Sequence, residues 1–214
     1  MEPFKETEKK EKRDVEFRRR ILSAASCLLE RNGIDSVNMY QIAQEAGIGQ
    51  GTLYRRYGHP GEIYSDILRT SVEQFLDELE AQQSCAAPSS SPLDRLSDVI
   101  IRLVDYIDRN AELLTTINCM YAGKKNFLPH KRPITLRLQG LVGAYLERAA
   151  EQGETRDCDV TLTTGFLLAA LSPEQYLYHR DTLGYTRERY QTGVCRLFIE
   201  GIRARGEQYG EDGG

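Results

Sequence analysis

The sequence AGIGQGTLYRRY, residues 46–57, places a glycine-containing turn directly before a short segment with two tyrosines and two arginines. The residues before the turn predict a helix over about 39–46, because Asn38 is a good N-cap and the pattern after it is helical. Gly47 ends this helix, since glycine reaches backbone conformations that a side chain resists. A second, short helix is predicted to begin at about Gln50.

These two helices and their turn predict a helix-turn-helix. Ile42, Ile48 and Leu53 would form the small core that fixes the crossing, and Ala43 must be small because the second helix passes close to it. With that core inward, the second helix presents polar and aromatic groups outward: Gln50, Thr52, Tyr54, Arg55 and Arg56. The alternative is an ordinary helical corner, which also needs a glycine turn and a small residue at the crossing.

The outward side of the second helix carries side chains of the types that contact DNA bases and phosphates. A helix of this length fits the major groove, where glutamine pairs with adenine, arginine pairs with guanine and a threonine methyl meets a thymine methyl. Tyrosine hydroxyls and backbone amides commonly hold phosphates. The absence of acidic residues on this side favours DNA binding. Two neighbouring residues have an alternative to DNA contact: Tyr57 is expected in the core, and Arg56 can be a solvated residue.

Hydrophobic periodicity predicts helices along nearly the whole chain, and no segment alternates as a strand does. The fold class is therefore all-α, with about nine helices. An N-terminal basic arm and helix-turn-helix domain spans 1–60, and a larger C-terminal domain spans 61–214. The helix near 61–82 connects them. The other predicted helices cover about 15–32, 92–109, 110–123, 133–152, 157–171 and 185–205, with a linker at 84–92, a loop at 123–133 and a loose tail after residue 205.

Charge is distributed unevenly along the 214 residues. The net charge is −4, yet residues 1–58 hold 11 basic and nine acidic side chains, and residues 9–20 carry a net charge of +4. The basic run suits a nucleic-acid partner, although a solvated tail would also explain it.

The five cysteines and three histidines show no metal or disulfide spacing. Reduced thiols in a cytoplasmic protein without a metal or cofactor are expected. No apolar run predicts a membrane span or a secretion signal.

Two C-terminal segments lack a full polar side. Residues 161–172 have no charge, and residues 193–202 carry only Arg196 and Glu200, four positions apart on one side. Such helices are buried on more than one side, either deep in the protomer or in a subunit interface. The small residues among them favour a symmetric dimer. The expected interface is Leu162, Gly165, Phe166, Ala169, Tyr190, Val194, Leu197, Phe198 and Gly201.

Polar-tipped aromatics and soft residues also lie within the apolar stripes of the C-terminal helices. They could line a ligand cavity, although each of them alone is more commonly a core residue. The candidates for ligand binding are Tyr106, Asn118, Met120, Tyr121, Tyr145, Phe166 and Tyr176.

Residues 18–68 resemble the DNA-binding domain of the TetR family of transcriptional regulators. The marks that match are Ile21, Ala24, Ala25, Leu28, Gly33, Ile42, Ala43, Ala46-Gly47, Gly51-Thr52-Leu53-Tyr54 and Tyr57. The resemblance implies a homodimeric repressor that binds a palindromic operator, with a four-helix bundle between subunits and a small-molecule effector that releases the DNA. The residues expected to contact DNA are Asn38, Tyr40, Gln50, Gly51, Thr52, Tyr54, Arg55, Arg56, Tyr57 and His59.

Several positions depart from the family pattern. Gly49 stands where a Ser or Thr commonly caps the recognition helix, and Gln50 stands where a Lys is common. His59-Pro60 replaces a Ser-Lys pair whose Lys tends to touch phosphate, so Arg55, Arg56 or His59 are candidates to supply that contact. Two alternatives stay open: a DNA binder that is constitutive or controlled by a protein partner, and an all-α enzyme, for which no catalytic constellation is visible.

Overall fold

The computed structural model describes residues 3–84, 90–121, 133–156 and 158–204, and gives backbone alone for 3–11, 84 and 118–121. Within these residues the chain is helical, which confirms the all-α prediction, and its β-type pairing is an isolated bridge between Thr155 and Arg203. None of the helices described combines the length and the apolar composition needed to cross a membrane. The helices are α1 (Pro3–Asn32), α2 (Met39–Glu45), α3 (Gln50–Tyr54), α4 (Pro60–Ser84), α5 (Pro92–Arg109), α6 (Ala111–Tyr121), α7 (Pro133–Glu151), α8 (Val160–Ala170), α9 (Pro173–Leu177) and α10 (Arg187–Cys195).

Two helical features differ from the sequence-based prediction. α1 begins at Pro3 rather than near residue 15, because its first turns are charged and an apolar stripe cannot reveal them. α9 was not predicted, although Ser172 caps it by accepting a hydrogen bond from the Gln175 amide at 3.3 Å. α9 and α10 each continue into a π-helical turn, Tyr178–Thr182 and Arg196–Glu200. Most of the predicted linker, nearly all of the predicted loop and the predicted tail lie outside the described residues.

The chain divides into two compact units. The first comprises Met1–Glu73 and Glu112–Lys125, and the second comprises Gln74–Ala111 and Asn126–Gly214. The first unit therefore holds α1 to α3, the beginning of α4 and most of α6. The second unit holds the end of α4, α5 and α7 to α10.

The core of the first unit fixes three short segments against α1. Ile21 of α1, Ile42 of α2, Leu53 of α3 and Ile63 of α4 are fully buried in one cluster, and Ile48 of the turn packs against it. Full burial of an aliphatic side chain contributes about 1.5–3 kcal/mol. This cluster therefore holds the angle between α2 and α3, as the sequence predicted.

α5 is the central helix of the second unit and packs against α7 and α10. Its start is capped by Ser91, whose Oγ accepts a hydrogen bond from the Asp94 amide at 3.2 Å. The Ser91 hydroxyl donates to Glu154 Oε2 at 2.9 Å, and the same carboxylate accepts the Leu93 amide at 3.1 Å. The cap thereby ties the start of α5 to the segment after α7.

Candidate nucleic-acid interface

α2, the first helix of the helix-turn-helix, begins at a reciprocal capping box. Asn38 Oδ1 accepts a hydrogen bond from the Gln41 amide at 3.1 Å, and the Asn38 amide donates to Gln41 Oε1 at 3.0 Å. These bonds satisfy two amides at the start of the helix. The Asn38 oxygen thus serves the cap, and its amide nitrogen is the group suited to donate to a phosphate.

The turn between α2 and α3 depends on Gly47. Its φ of 62° lies in the left-handed region, which favours glycine. The Ile48 amide donates to the Ala43 carbonyl at 3.0 Å and closes the helix end. Arg20 of α1 donates to the carbonyls of Ala46 at 2.5 Å and Gly47 at 2.9 Å. A cation at a helix C-terminus is favourable because it meets the negative end of the helix dipole.

α3 is short and buries Leu53. Gly49 at its N-cap offers no side chain, so the start of the helix relies on the backbone, where the Thr52 amide donates to the Gly49 carbonyl at 2.9 Å. Gln50, Gly51 and the residues at the end of the helix turn to solvent. The departure from a Ser or Thr cap therefore leaves the predicted helix in place.

Two exposed tyrosines mark the outer side of this motif. Tyr54 of α3 is 53% exposed and Tyr40 of α2 is 60% exposed. Arg55 is exposed as well, and its Nη2 donates to Thr52 Oγ1 at 3.2 Å. Both aromatic rings and the Arg55 guanidinium are therefore accessible to a partner. We call this surface the recognition face: Tyr40, Gln50, Gly51, Thr52, Tyr54 and Arg55.

Three other residues predicted to contact DNA have partners within the protein. Arg56 forms an ion pair with Asp14 of α1. The Tyr57 hydroxyl donates to a carboxylate of α4 at 2.6 Å, and the ring is half-buried. His59 is exposed, with Nε2 3.8 Å from Glu62 Oε1. A contact of Arg56 with DNA would therefore require it to leave its present partner.

That carboxylate belongs to Asp66 of α4, which joins α4 to α1 and to the segment after α3. Its Oδ2 accepts from Arg18 Nε at 2.7 Å and from the Tyr57 hydroxyl at 2.6 Å. Its Oδ1 accepts from Arg18 Nη2 at 2.9 Å and from Arg69. We call these four residues the Asp66 hub. The Asp66 side chain is only 12% exposed.

The hub changes the acidity of its members. Burial alone would raise the pKa of Asp66, but the hydrogen bonds from Arg18, Tyr57 and Arg69 outweigh it and lower that pKa to about 2. Burial and the hydrogen bond to Asp66 raise the pKa of Tyr57 to about 12. The carboxylate is therefore charged, and the phenol keeps its proton, over the whole physiological pH range.

Sequence reasoning missed Arg18, Arg20, Asp14 and Asp66. Arg18 and Arg20 belong to the basic run, for which the sequence predicts an arm and not contacts with other parts of the protein. Their partners are carbonyls and carboxylates far along the chain, so no local spacing could have identified them.

Comparison with known proteins agrees with this geometry. Residues 21–59 match the family model of bacterial regulatory proteins of the tetR family. An HTH-type transcriptional regulator of Staphylococcus aureus (strain bovine RF122 / ET3-1) is 30% identical over 191 residues, which cover 88% of this chain and 95% of that relative. Another, from Staphylococcus aureus (strain USA300), is 33% identical over 187 residues, covering 87% and 95%. The chain belongs to the TetR family of transcriptional regulators. Its relatives are DNA-binding regulators rather than enzymes, which confirms that part of the prediction.

Solved structures share the fold of this TetR-family chain. A TetR-family repressor of Thermus thermophilus, solved with lauroyl-CoA, has a TM-score of 0.64 at 20% identity and covers 92% of this chain and all of its own. A TetR/AcrR-family regulator from Thermobifida fusca has a TM-score of 0.63 at 20% identity and covers 87% of this chain and 98% of its own. At this identity the likeness concerns the fold.

In the second unit of this TetR-family protein, α8 and the turn after α10 expose large apolar side chains. Leu162 and Phe166 of α8 are 56% and 60% exposed, and Leu197, in the turn after α10, is 69% exposed. Of the other residues predicted at a subunit interface, Tyr190 and Val194 are buried within the protomer, Phe198 is half-buried, and the small residues are exposed: Gly165, Ala169 and Gly201. Tyr190 and Val194 therefore lie beneath this surface rather than on it.

The residues predicted to line a ligand cavity differ in their burial and in their contacts. Tyr106 is buried and stacks on Phe75 with ring centroids 4.7 Å apart. Tyr176 is buried and donates its hydroxyl to Asp108 Oδ1 at 2.6 Å. Tyr145 is buried too and lines a cavity of about 50 Å³, room for one or two water molecules. Phe166 is on the surface, and the side chains of the other three lie outside the described part of the chain: Asn118, Met120 and Tyr121.

Proposed function

We propose that this TetR-family regulator is a repressor that binds a palindromic operator as a homodimer and leaves it when a small-molecule effector binds. The observation that carries the proposal is the recognition face, exposed on a helix-turn-helix whose core is fully buried. We assign DNA reading to residues 1–60, and dimerisation and effector binding to 61–214, with α4 as the connection. The protein would act in the cytoplasm, where its DNA is.

The recognition face divides by chemistry into base readers and phosphate holders. Gln50 and Arg55 can each make paired hydrogen bonds to a purine edge, and the Thr52 methyl can meet a thymine. Tyr40 and Tyr54 carry hydroxyls suited to phosphates, a role open also to His59 and to the Asn38 amide nitrogen. A Cβ on Gly51 would meet no atom within 4 Å, so its lack of a side chain serves close approach by DNA rather than protein packing.

Dimerisation would explain the exposed apolar surface of the second unit. A subunit interface hides large apolar groups and needs small residues where helices approach closely. The surface formed by Leu162, Phe166 and Leu197, with its neighbouring glycines and alanine, has both properties. Two subunits related by a twofold axis would present two copies of α3, which suits half-sites about 34–36 Å apart.

Effector control is proposed from the ligands that are bound in two structures of similar fold. The Thermus thermophilus repressor was solved with lauroyl-CoA and a Bacillus subtilis regulator with stearoyl-CoA. We therefore propose acyl-CoA thioesters as the first effectors to test. The effector would favour an α4 position that separates the half-sites, and a preference of a few kcal/mol for that state would suffice.

The second candidate function is DNA binding without an effector. It is favoured by the burial of Tyr106, Tyr145 and Tyr176, three of the residues predicted to line a ligand cavity, in the packed interior of the second unit. Thermal unfolding with and without acyl-CoA thioesters of increasing chain length separates the two. A rise in melting temperature that grows with concentration, accompanied by loss of operator binding, supports effector control. No shift with any chain length favours the second candidate.

Selection of bound sequences from a random duplex pool tests DNA recognition directly. A palindrome whose affinity falls steeply with salt is expected. In that complex Arg55→Ala should weaken binding by about tenfold or more, since a paired contact to a base contributes about 1–3 kcal/mol, and Tyr54→Ala should weaken it through loss of a phosphate contact. Tyr178→Ala and Arg148→Ala, which remove exposed side chains of the same kinds in the second unit, are the controls. Equal affinities for all four variants would rule out the recognition face.

A further inference from the structure

Three arginines gather on one aromatic ring within the first unit. The guanidinium carbons of Arg13, Arg20 and Arg56 lie 6.0, 6.0 and 5.8 Å from the centroid of the Phe17 ring. These distances are within the range of cation–π contacts. α1 supplies the ring and two of the arginines, and Arg56 comes from the segment directly after α3. We call these four residues the Phe17 cluster.

The charges of the cluster are only partly balanced. Arg20 is held by the carbonyls at the end of α2, at 2.5 and 2.9 Å. Arg56 is paired with Asp14, and Arg13 is exposed. Three guanidinium groups around one ring repel each other. Glu16 acts on Arg20 from its own pair with Arg19, and among the described residues Asp14 is the carboxylate that pairs with the cluster, which leaves the cluster positively charged. An anion that replaced or joined this carboxylate would therefore be attracted to the site.

We propose that the Phe17 cluster binds a DNA phosphate and that Asp14 holds Arg56 in place until DNA arrives. The proposal rests on the proposed function and adds a backbone contact outside the recognition face. In the complex Arg56 exchanges the Asp14 carboxylate for a phosphate oxygen, and Arg13 supplies a second guanidinium. Guanidinium groups bind phosphate through paired hydrogen bonds, whereas Arg56 meets Asp14 through Nη2 alone, so a phosphate offers Arg56 a further bond.

The exposure of the pair allows this exchange. The Asp14 side chain is 53% exposed and the Arg56 side chain 25% exposed. Ion pairs that solvent reaches are weak, so a phosphate can compete for the arginine. Arg20, in contrast, is bound to backbone carbonyls on which the turn depends, and it stays where it is. Phe17 is half-buried and keeps the three cations within reach of one another.

The salt dependence of DNA affinity tests the phosphate site. Fluorescence anisotropy of the full-length protein would be measured at several salt concentrations, with the selected operator and with a duplex of unrelated sequence. A plot of log affinity against log salt has a negative slope. Arg13→Ala and Arg56→Ala should each make this slope less steep by about 0.9 for each phosphate that the variant no longer neutralises. Arg56→Lys should keep the slope because it keeps the charge. Arg19→Ala, which removes an exposed arginine paired with Glu16, is the matched control.

The role of Asp14 is tested by combining variants. Asp14→Asn should tighten DNA binding about two- to fivefold more than Glu16→Gln does in the wild-type background, as expected for release of an exposed ion pair, and no more than Glu16→Gln when Arg56 is already alanine. Glu16→Gln removes the same charge two residues away and should act equally in both backgrounds. The melting temperature of each variant shows whether it is folded.

Each result supports or overturns the proposal. Unchanged slopes for both arginine variants overturn the phosphate site. An equal effect of Asp14→Asn with and without Arg56 overturns the exchange. If the wild type binds DNA and all the variants match it, this inference fails while the proposed function stands. If the wild type binds no duplex at all, both fail.

Discussion

Replacing Asp66 with asparagine removes the charge of the Asp66 hub while keeping its size. Arg18 then loses an ionised partner that accepts two hydrogen bonds, and Tyr57 loses its charged acceptor. The hydrogen bonds of the folded protein lower the pKa of Asp66 from its usual 3.8 to about 2. At about 1.36 kcal/mol per pKa unit, this difference corresponds to roughly 2.4 kcal/mol of stability at neutral pH. We expect Asp66→Asn to lower the free energy of unfolding by about 2 kcal/mol.

The pH dependence of this loss has a definite sign. A carboxyl whose pKa is lowered on folding stabilises the protein above its unfolded pKa, and the stabilisation disappears as pH falls through the folded pKa. The difference between wild type and Asp66→Asn should therefore be constant from pH 7 to pH 5 and should fall to about half near pH 3. Urea unfolding followed by circular dichroism measures it. Glu73→Gln, an exposed carboxylate on the same helix, should change stability by less than about 0.5 kcal/mol.

The same variant should affect DNA binding without removing a charge that meets phosphate. Tyr57 directly follows the recognition face, so a loosened Asp66 hub allows α3 to sample more orientations. Operator affinity should fall about tenfold with an unchanged salt slope, because the charges that meet DNA are still present. Unaltered stability at pH 7, or a stability difference that does not shrink between pH 5 and pH 3, would refute the reasoning.

Three further substitutions probe other parts of the molecule. Leu197→Glu should give monomers in sedimentation velocity because it places a charge in the proposed subunit interface, while Leu183→Glu, at another exposed leucine of the second unit, should not. Gly47→Ala should lower the free energy of unfolding by about 1–2 kcal/mol, since a side chain resists a φ of 62°; urea unfolding equal to wild type would contradict this. Tyr176→Phe should cost about 1 kcal/mol in the same assay through loss of its bond to Asp108, and a stabilised variant would show that this bond is not favourable.

The parts of the fold that the sequence predicted are those governed by neighbours in the chain. The capping box at Asn38 brings together residues three apart, and the left-handed Gly47 ends a helix at a place that one glycine can mark. Ser91 and Pro92 likewise indicated the start of α5. The same pair of residue types at Ser172 marks the start of α9, which periodicity missed because five residues are too few to show a stripe.

The pairs that shape the candidate interface could not be predicted in this way. Arg18 and Asp66 are 48 positions apart, and Arg56 and Asp14 are 42 apart, so their pairing follows from how helices pack rather than from spacing. Residues 193–202, at the end of α10 and in the turn after it, present a related difficulty. A helix that is apolar nearly all round does not reveal which side faces inward, and the structure buries Val194 while leaving Leu197 exposed.

α4 carries ion pairs in each of the two units, and these pairs resist a displacement of the helix. Asp66 lies in the first unit. In the second unit, Asp77 and Glu80 accept hydrogen bonds from Arg137 of α7 at 2.6 and 2.8 Å. In the proposed mechanism an effector shifts α4, and the Arg137 pairs can yield to that shift because solvent reaches them. Because coupling between two ligands is reciprocal, a variant that loosens the Asp66 hub should reduce the effect of DNA on effector affinity as much as the effect of effector on DNA affinity.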